Sequence, residues 1–563
     1  MKQFLKIFKF HKSKIHLILL SLTATLVLGK GITQGDFWWS DASRHAMDGV
    51  YFTDLIKELP LTHLYDYTLQ YYAQYPALAL GFYPPFFALV EGMVFLLFGI
   101  SLVVARLTVL GFALLAAWMW YRLVKMIYSE TVAFYSGLLI LTTPLIVLWS
   151  REVMLEMPTL ALIITSIYFF YGFAELGKRK HAYYAGLFLS LSVLTKQPAI
   201  FLFPMFLSYL ALTKKLRLLL NKEVILSAIL VFVLLFPQFI FTLKYSPINL
   251  GQSIGHLGPY ARTSLKNWTY YPQILPDLLR IPVFLSSLAY GGFILATQKY
   301  RNHLIFLLWA LWWYLLFSYL SLKEPRFAYF GIPPFCLFAT LGLVHLPGRL
   351  KGFSLSTPVL SGLVLFQMAQ SYTMPYPFVS GYAEAAEFVA RNFKGHTVLF
   401  DGYYDGNFIF HLRKWDDQKN IIVLRGSKVL ARSAARIYWS LKEHVKAEED
   451  IYKILNDYGT KYVVVEDRDI LGVAAFKMLR KALNSENFTL VKKITLKTNV
   501  EKVRNISLLI YEYNKAATLR AKMLTLDLPM IGRRIEVPIK ALAGEGTSDN
   551  EGWTTRMESL EGH

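Results

Sequence analysis

Cysteine is almost missing from this 563-residue chain: there is one, Cys336, inside an apolar run. No intrachain disulfide can form, so no disulfide framework holds the protein together. Charge is scarce as well, at 17% of residues, where a water-soluble globular chain averages about a quarter. Acids are the scarcer sign, 38 Asp and Glu against 59 Lys and Arg, for a formal net charge of +21. In a soluble protein that excess would point to nucleic acid. Here the basic residues sit in short clusters between apolar runs, as a bilayer arranges them, which removes nucleic acid as a partner and puts membrane lipid in its place. A glycine-rich phosphate loop is also lacking. Gly402 and Gly406 form no GxGxxG and carry little signal for a nucleotide site.

What is abundant is apolar sequence, 55% of the chain, with 16% aromatics. A helix needs about 20 apolar residues to cross the hydrocarbon layer. The candidates are 15–33, 102–124, 131–149, 157–174, 182–196, 198–213, 222–242, 281–298, 303–320, 327–346 and 353–370, with 182–196 the weakest. The first follows Lys2, Lys6, Lys9, Lys12 and Lys14 without an acid and shows no clean small-x-small cleavage site, so it reads as an uncleaved span leading out of the cytoplasm. The run 82–98 is apolar too, but it opens Tyr83-Pro84-Pro85 and carries Glu91 in its middle. Read as an interfacial or re-entrant helix on the outer side, it leaves Arg122 and Lys125, Lys178 to Lys180, Lys214 and Lys215, Lys299 and Arg301, and Arg349 and Lys351 all on the side of the lysine-rich N-terminus. The two longest loops, 34–101 and 243–280, then lie outside, where chemistry is expected.

The texture changes near Gly381. A helix is predicted over 381–392 and β-rich runs over 397–400, 421–424 and 462–465, with helices near 434–443 and 450–456. That alternation implies a small α/β domain with a parallel or mixed sheet. Runs 490–496 and 506–513 read as antiparallel edge strands, 520–563 as less regular, and the polar end from Gly544 as disordered. The expected organisation is a polytopic all-α transmembrane bundle of about eleven spans over 1–370, holding outer loop 34–101 with juxtamembrane helix 82–98. An extracytoplasmic α/β domain follows over 371–520, then a partly disordered extension over 521–563.

Three outer constellations could carry chemistry. The first loop opens with Trp38-Trp39-Ser40-Asp41, followed by Arg44 and His45. Two tryptophans and solvated acids suit an interfacial aromatic belt. They equally suit Asp41 as a general base at the membrane surface, with Arg44 or His45 in charge or hydrogen-bonding roles. In the second constellation Glu152 and Glu156, four apart beside Pro158, would share a helical face; opposite Asp41 they could orient an acceptor or hold a divalent cation. The third is positive charge against the general bias: Lys196, Arg262 and Arg326, each near a proline, and His256. One such residue is an ordinary snorkelling anchor, whereas several converging would form a phosphate pocket. Nucleotide sugars are not normally present outside the cytoplasm, so an activated lipid is the reasonable donor.

In their order, these motifs resemble the GT-C membrane glycosyltransferases, in particular the group of protein O-mannosyltransferases and the aminoarabinose transferase of lipid A. The resemblance covers roughly 15–370. It rests on Ser40-Asp41-Ala42, on Tyr83-Pro84-Pro85-Phe86 with Ala105-Arg106-Leu107, on the stretch from Arg151 to Pro158, on Leu194-Thr195-Lys196, and on Pro325-Arg326-Phe327. It implies inverting transfer of a sugar from a polyprenyl-phosphate carrier to a hydroxyl-bearing protein, lipid or glycan acceptor. Asp41 would be the base and Glu156 a second acid, with Arg44, His45, Tyr83, Glu152, Lys196, His256, Arg262 and Arg326 contacting substrates. Ala42 stands where many relatives have Glu, and Phe82-Tyr83 where the lipid A enzymes have Glu-Lys, so an aminoarabinose reaction is not implied. A lipid transporter or flippase would instead show mid-span charges or an inverted repeat, and a scaffold would leave the outer cations dispensable.

Overall fold

The computed structural model describes residues 2–245, 260–345, 349–350, 353–354, 356–432, 441–468, 472–515, 518–542 and 554–559. Helices occupy all eleven expected spans. In lipid a backbone must satisfy its own hydrogen bonds, and these apolar runs do so as helices. Taken alone, five described helices are long and apolar enough to cross a membrane: Leu102–Ile127, Glu156–Ala174, Lys222–Tyr245, Lys299–Tyr319 and Pro325–Val344. Glu130–Thr142 and Pro144–Ser150 form a further candidate bent by 63°, broken where Pro144 cannot donate to the helix.

The first loop is largely helical. Ser40–Glu58 buries Ala42, Ala46, Met47 and Val50, and Leu64–Gln74 follows it. Phe86–Phe98 begins behind Pro84-Pro85; its 13 residues rise about 20 Å, short of the roughly 30 Å hydrocarbon layer. It packs on Ser40–Glu58 through glycine, since a Cβ on Gly92 would lie 2.9 Å from the Gly49 carbonyl oxygen.

Beyond the bundle, a five-stranded sheet runs in the order Ile422–Arg425, Thr397–Asp401, Thr460–Glu466, Ser507–Tyr513, Phe488–Thr495. The first three strands are parallel, and Ser507–Tyr513 runs antiparallel to both of its neighbours. The mixed sheet is as expected, but Ser507–Tyr513 is an interior strand rather than an edge. It pairs on both sides and buries Leu508 and Ile510 completely. The expected helix over 434–443 ends instead in a short strand, Lys442–Glu443, paired with Ala431–Arg432; positions 433–440 lie outside the described residues. The stretch read as less regular holds a three-stranded antiparallel sheet, Met523–Leu528, Arg533–Pro538 and Arg556–Ser559. Most of the polar end from 544 lies outside the described residues.

The soluble domain grips the first loop. Phe37 shares a hydrophobic core with Val398, Phe400 and Phe408, while Leu69 and Ala73 enter a second core with Leu399, Ile422 and Leu424. Helix Asp405–Trp415 lies against Ser40–Glu58 because Gly406 lacks a Cβ, which would fall 2.2 Å from Ser43 Oγ. Gly402 likewise has Glu466 where a side chain would go, so packing, not phosphate binding, accounts for both glycines.

Arg413 donates to both oxygens of Asp54, at 2.7 and 2.8 Å, with both side chains buried. An Arg413→Met variant leaves that carboxylate without its cation and is expected to lose about 3–5 kcal/mol. Thermal unfolding in detergent measures this; an unchanged melting temperature would show that the pair does not join the two regions.

Candidate active site

Asp41 sits in the first turn of Ser40–Glu58 with its side chain 27% exposed. Three donors converge on Oδ2: Arg326 Nη1 at 3.3 Å, Trp39 Nε1 at 3.4 Å and the Tyr83 hydroxyl at 3.4 Å. Among the described residues, Oδ1 receives no hydrogen bond. Burial works against ionisation of this carboxyl, but Arg326, with His45 and Arg44 behind it, more than reverses that and holds it below the usual carboxylate range.

Arg326 is the hub. It reaches Asp41, lies 3.8 Å from Glu156 Oε1, and pairs with Glu324 two residues before it. Its guanidinium lies 5.6 Å from the ring centres of both Trp39 and Trp149, a setting suited to a planar delocalised cation. Glu156 is fully buried at the start of Glu156–Ala174, where it accepts from Lys196 Nζ at 2.5 Å. The Tyr83 loop is tied to the Lys196 turn, since Phe86 N donates to the Leu194 carbonyl and Gln197 Nε2 to that of Phe82.

Asp41, His45, Tyr83, Glu156, Lys196 and Arg326 are therefore brought together, and three expected residues are placed differently. Glu152 is spent on structure: it accepts from Trp38 N at 3.1 Å and Val153 N at 3.0 Å and lies 3.7 Å from Arg106. Arg44 turns to the soluble domain, donating to Asp405 at 3.2 Å. Arg262 stands apart from the cluster and donates to the Tyr319 hydroxyl at 2.9 Å. His256 lies outside the described residues. The tryptophans are not a lipid-facing belt, for Trp38 is buried and donates to Tyr376, while Trp39 packs on Trp149. The Arg326 guanidinium lies between Asp41 and Glu156, where a divalent cation was one expectation. Among the described residues no three His, Cys, Asp or Glu side chains gather as a metal site.

Sequence reading overlooked the residues that hold the loop. Arg106 donates to the carbonyls of Ile32, Gln34 and Asp36. Asn407 brackets Phe37, accepting from its N–H at 2.9 Å and donating to its carbonyl at 2.8 Å. Asp36 in turn accepts from Gly381 N and Tyr382 N at the start of the first helix of the soluble domain. Arg106 was visible as a lone cation inside a span; nothing near Asn407 marked it.

Residues 83–241 match the family described as dolichyl-phosphate-mannose-protein mannosyltransferase. No curated protein matches the whole sequence significantly. Among solved structures, ArnT from Cupriavidus metallidurans bound to undecaprenyl phosphate is similar with a TM-score of 0.59 at 14% identity, over 89% of this chain and 98% of that one. The archaeal oligosaccharyltransferase AglB from Archaeoglobus fulgidus, in complex with an inhibitory peptide and a dolichol-phosphate, gives 0.51 at 12% identity, over 82% of this chain and 70% of that one. At such identities the structural likeness speaks for the fold alone, and the family match covers only the segment 83–241. The chain has the fold of a GT-C membrane enzyme, and that segment matches the mannosyltransferase family. The matched segment contains Tyr83, Glu156 and Lys196; folding brings Asp41 and Arg326 to them from outside it.

His45 is buried with its ring edge-on to Tyr83, 4.7 Å between centres, and burial outweighs the pull of Asp41 to bring its pKa down to about 4. The unfolded imidazole titrates near 6.5. As pH falls from 6.5 towards 4 the unfolded chain takes up a proton that the folded chain refuses, so stability drops, by about 3 kcal/mol in all, and is unaffected by this group above that window. Melting temperatures across pH 4.5–7 should slope less in His45→Gln than in the parent; equal slopes would assign the loss to other groups.

Proposed function

We propose that this protein is a glycosyltransferase that moves a sugar from a polyprenyl-phosphate carrier to a hydroxyl-bearing acceptor, with inversion, on the outer face of the membrane. The observation that carries the reading is the Asp41 carboxylate: one oxygen fixed by three donors, the other unengaged, on a partly exposed side chain beside two buried cations. In the step, the acceptor hydroxyl gives its proton to Asp41 Oδ1 as its oxygen bonds to the anomeric carbon. The bond from that carbon to the carrier phosphate breaks, and Lys196 and Arg326 stabilise the phosphate that leaves. Glu156, expected as a second acid, is completely buried against Lys196, so in this reading it positions that lysine and does not touch substrate.

A lipid-sized groove supports the donor. It has a volume of about 760 Å³ and is lined by Ile200, Phe201, Trp268, Trp312, Leu316 and Tyr319 among others. Lys196 immediately precedes the turn Gln197–Phe201 that forms one wall, and Arg262 bonds Tyr319 on another. An apolar chain in the groove would lead its phosphate towards Lys196 and Arg326, with Arg262 at the rim of the groove.

Membranes holding the protein should transfer labelled sugar from a polyprenyl-phosphate donor, and Asp41→Asn should lower the rate by about 10²- to 10⁴-fold. Full activity of that variant would remove the assigned base. The side of the membrane is tested separately. Cys336 is buried, so a cysteine placed at exposed Thr62 is the only reactive thiol; an impermeant thiol reagent should label Thr62→Cys in intact cells, and labelling only after lysis would put the site in the cytoplasm.

A further inference from the structure

Beside the Asp41 cluster, at the seam between Ser40–Glu58 and the soluble domain, lies a second group of charges that the transfer step does not use. Arg44 and Arg425 share one carboxylate, Asp405, each pairing with a different oxygen. Lys428 is 7% exposed, and among the described residues its ammonium has only the Asp527 backbone carbonyl, at 3.2 Å, as a hydrogen-bond partner. The Asp527 carboxylate is itself taken by Arg534 at 2.7 Å, with Arg432 and His444 close by. Ser427 Oγ is buried with no hydrogen-bond partner. Asp405 therefore stands among three cations, and the other acids that reach them, Asp41 and Asp527, are already paired with Arg326 and Arg534. Burying positive charge without its complement is costly, so such a group is complete only when an anion joins it. The crowding is felt by Lys428, where burial and the like charges of Arg425 and Arg44 bring the ammonium down to about 7. The place is open to a ligand, for the Arg44 and Arg425 side chains are 22% and 16% exposed.

Resting on the transferase reading above, we propose that Arg44, Arg425 and Lys428, with the Ser427 hydroxyl, bind an anionic group of the acceptor, a phosphate or a carboxylate, so that the soluble domain selects acceptors by charge. Arg44 is three residues from Asp41 on the same helix, one turn away, so an anion held there sets a neighbouring hydroxyl of the same molecule before the base. The proposed donor phosphate would use Lys196 and Arg326, which pair with Glu156 and Asp41 and not with Asp405, so the two anions would not compete.

The test uses the full-length protein in detergent, saturated with undecaprenyl phosphate so that the donor site is filled, and titrated by calorimetry with inorganic phosphate and, in parallel, with glucuronate. Saturable binding of about one equivalent of either anion is expected, and which one binds separates phosphate from carboxylate recognition. Lys428→Met should weaken that binding about tenfold or more, the loss of a charge-assisted hydrogen bond, while Lys428→Arg should keep most of it and Lys196→Met should leave it unchanged. Absence of saturable binding of both anions to the parent protein, or unchanged binding in a folded Lys428→Met variant, overturns the proposal. Failure of undecaprenyl phosphate to bind would count against the donor reading instead, and the anion titration would still report on the second site in Lys196→Met.

Discussion

The candidate site is organised by one guanidinium. Arg326 is almost wholly buried, and a buried cation survives only if carboxylates and aromatic faces replace its water. Asp41, Glu156 and Glu324 supply the charge, and Trp39 with Trp149 supply the flat surroundings. Because those partners come from the first loop, the end of a span, the connection before the next and the return after it, satisfying Arg326 fixes four separate stretches of chain relative to one another. The same contacts separate the acids by role. Glu156 is sealed in and neutralised by Lys196, whereas Asp41 keeps an oxygen available and an ionised carboxylate.

Asp41 is positioned from both the bundle and the C-terminal domain. From the bundle, Arg106 gathers the carbonyls of Ile32, Gln34 and Asp36, and Glu152 holds Trp38 N. From the soluble domain, Asn407 fixes Phe37 and the Tyr404 hydroxyl donates to the Trp38 carbonyl at 2.8 Å. The stretch from Gln34 to Trp38 is thus held at most of its polar atoms shortly before the helix that begins at Ser40. Loops rarely hold a catalytic group so firmly unless their backbone is bonded to rigid elements.

Much of this was legible in the residues. Apolar length and the placement of basic clusters gave the helices, and Tyr83-Pro84-Pro85 with Glu91 marked 82–98 as different from its neighbours; the observed 13-residue helix fits that reading. Asp41, Lys196 and Arg326 stood out because charge at the end of a span is expensive unless used. What stayed hidden was pairing across long separations. Glu152 and Glu156 look equivalent, four apart on one turn, and only the fold shows that Arg106 with Trp38 takes one and Lys196 the other. Strand order was hidden for the same reason, since the pattern of 506–513 describes its two faces and not its neighbours.

The charges divide along the seam in a way that matters for chemistry. Arg326 and Lys196 come from the bundle and are held by bundle or first-loop acids, while Arg425 and Lys428 come from the soluble domain and face Asp405 of that domain. Arg44 and Asp41 lie one helical turn apart between these groups. In the proposed reading, a donor held in the bilayer meets the first group and a polar acceptor the second. Both are then referred to a single short helix, so orientation at the reacting atoms would not depend on how the two modules move as wholes.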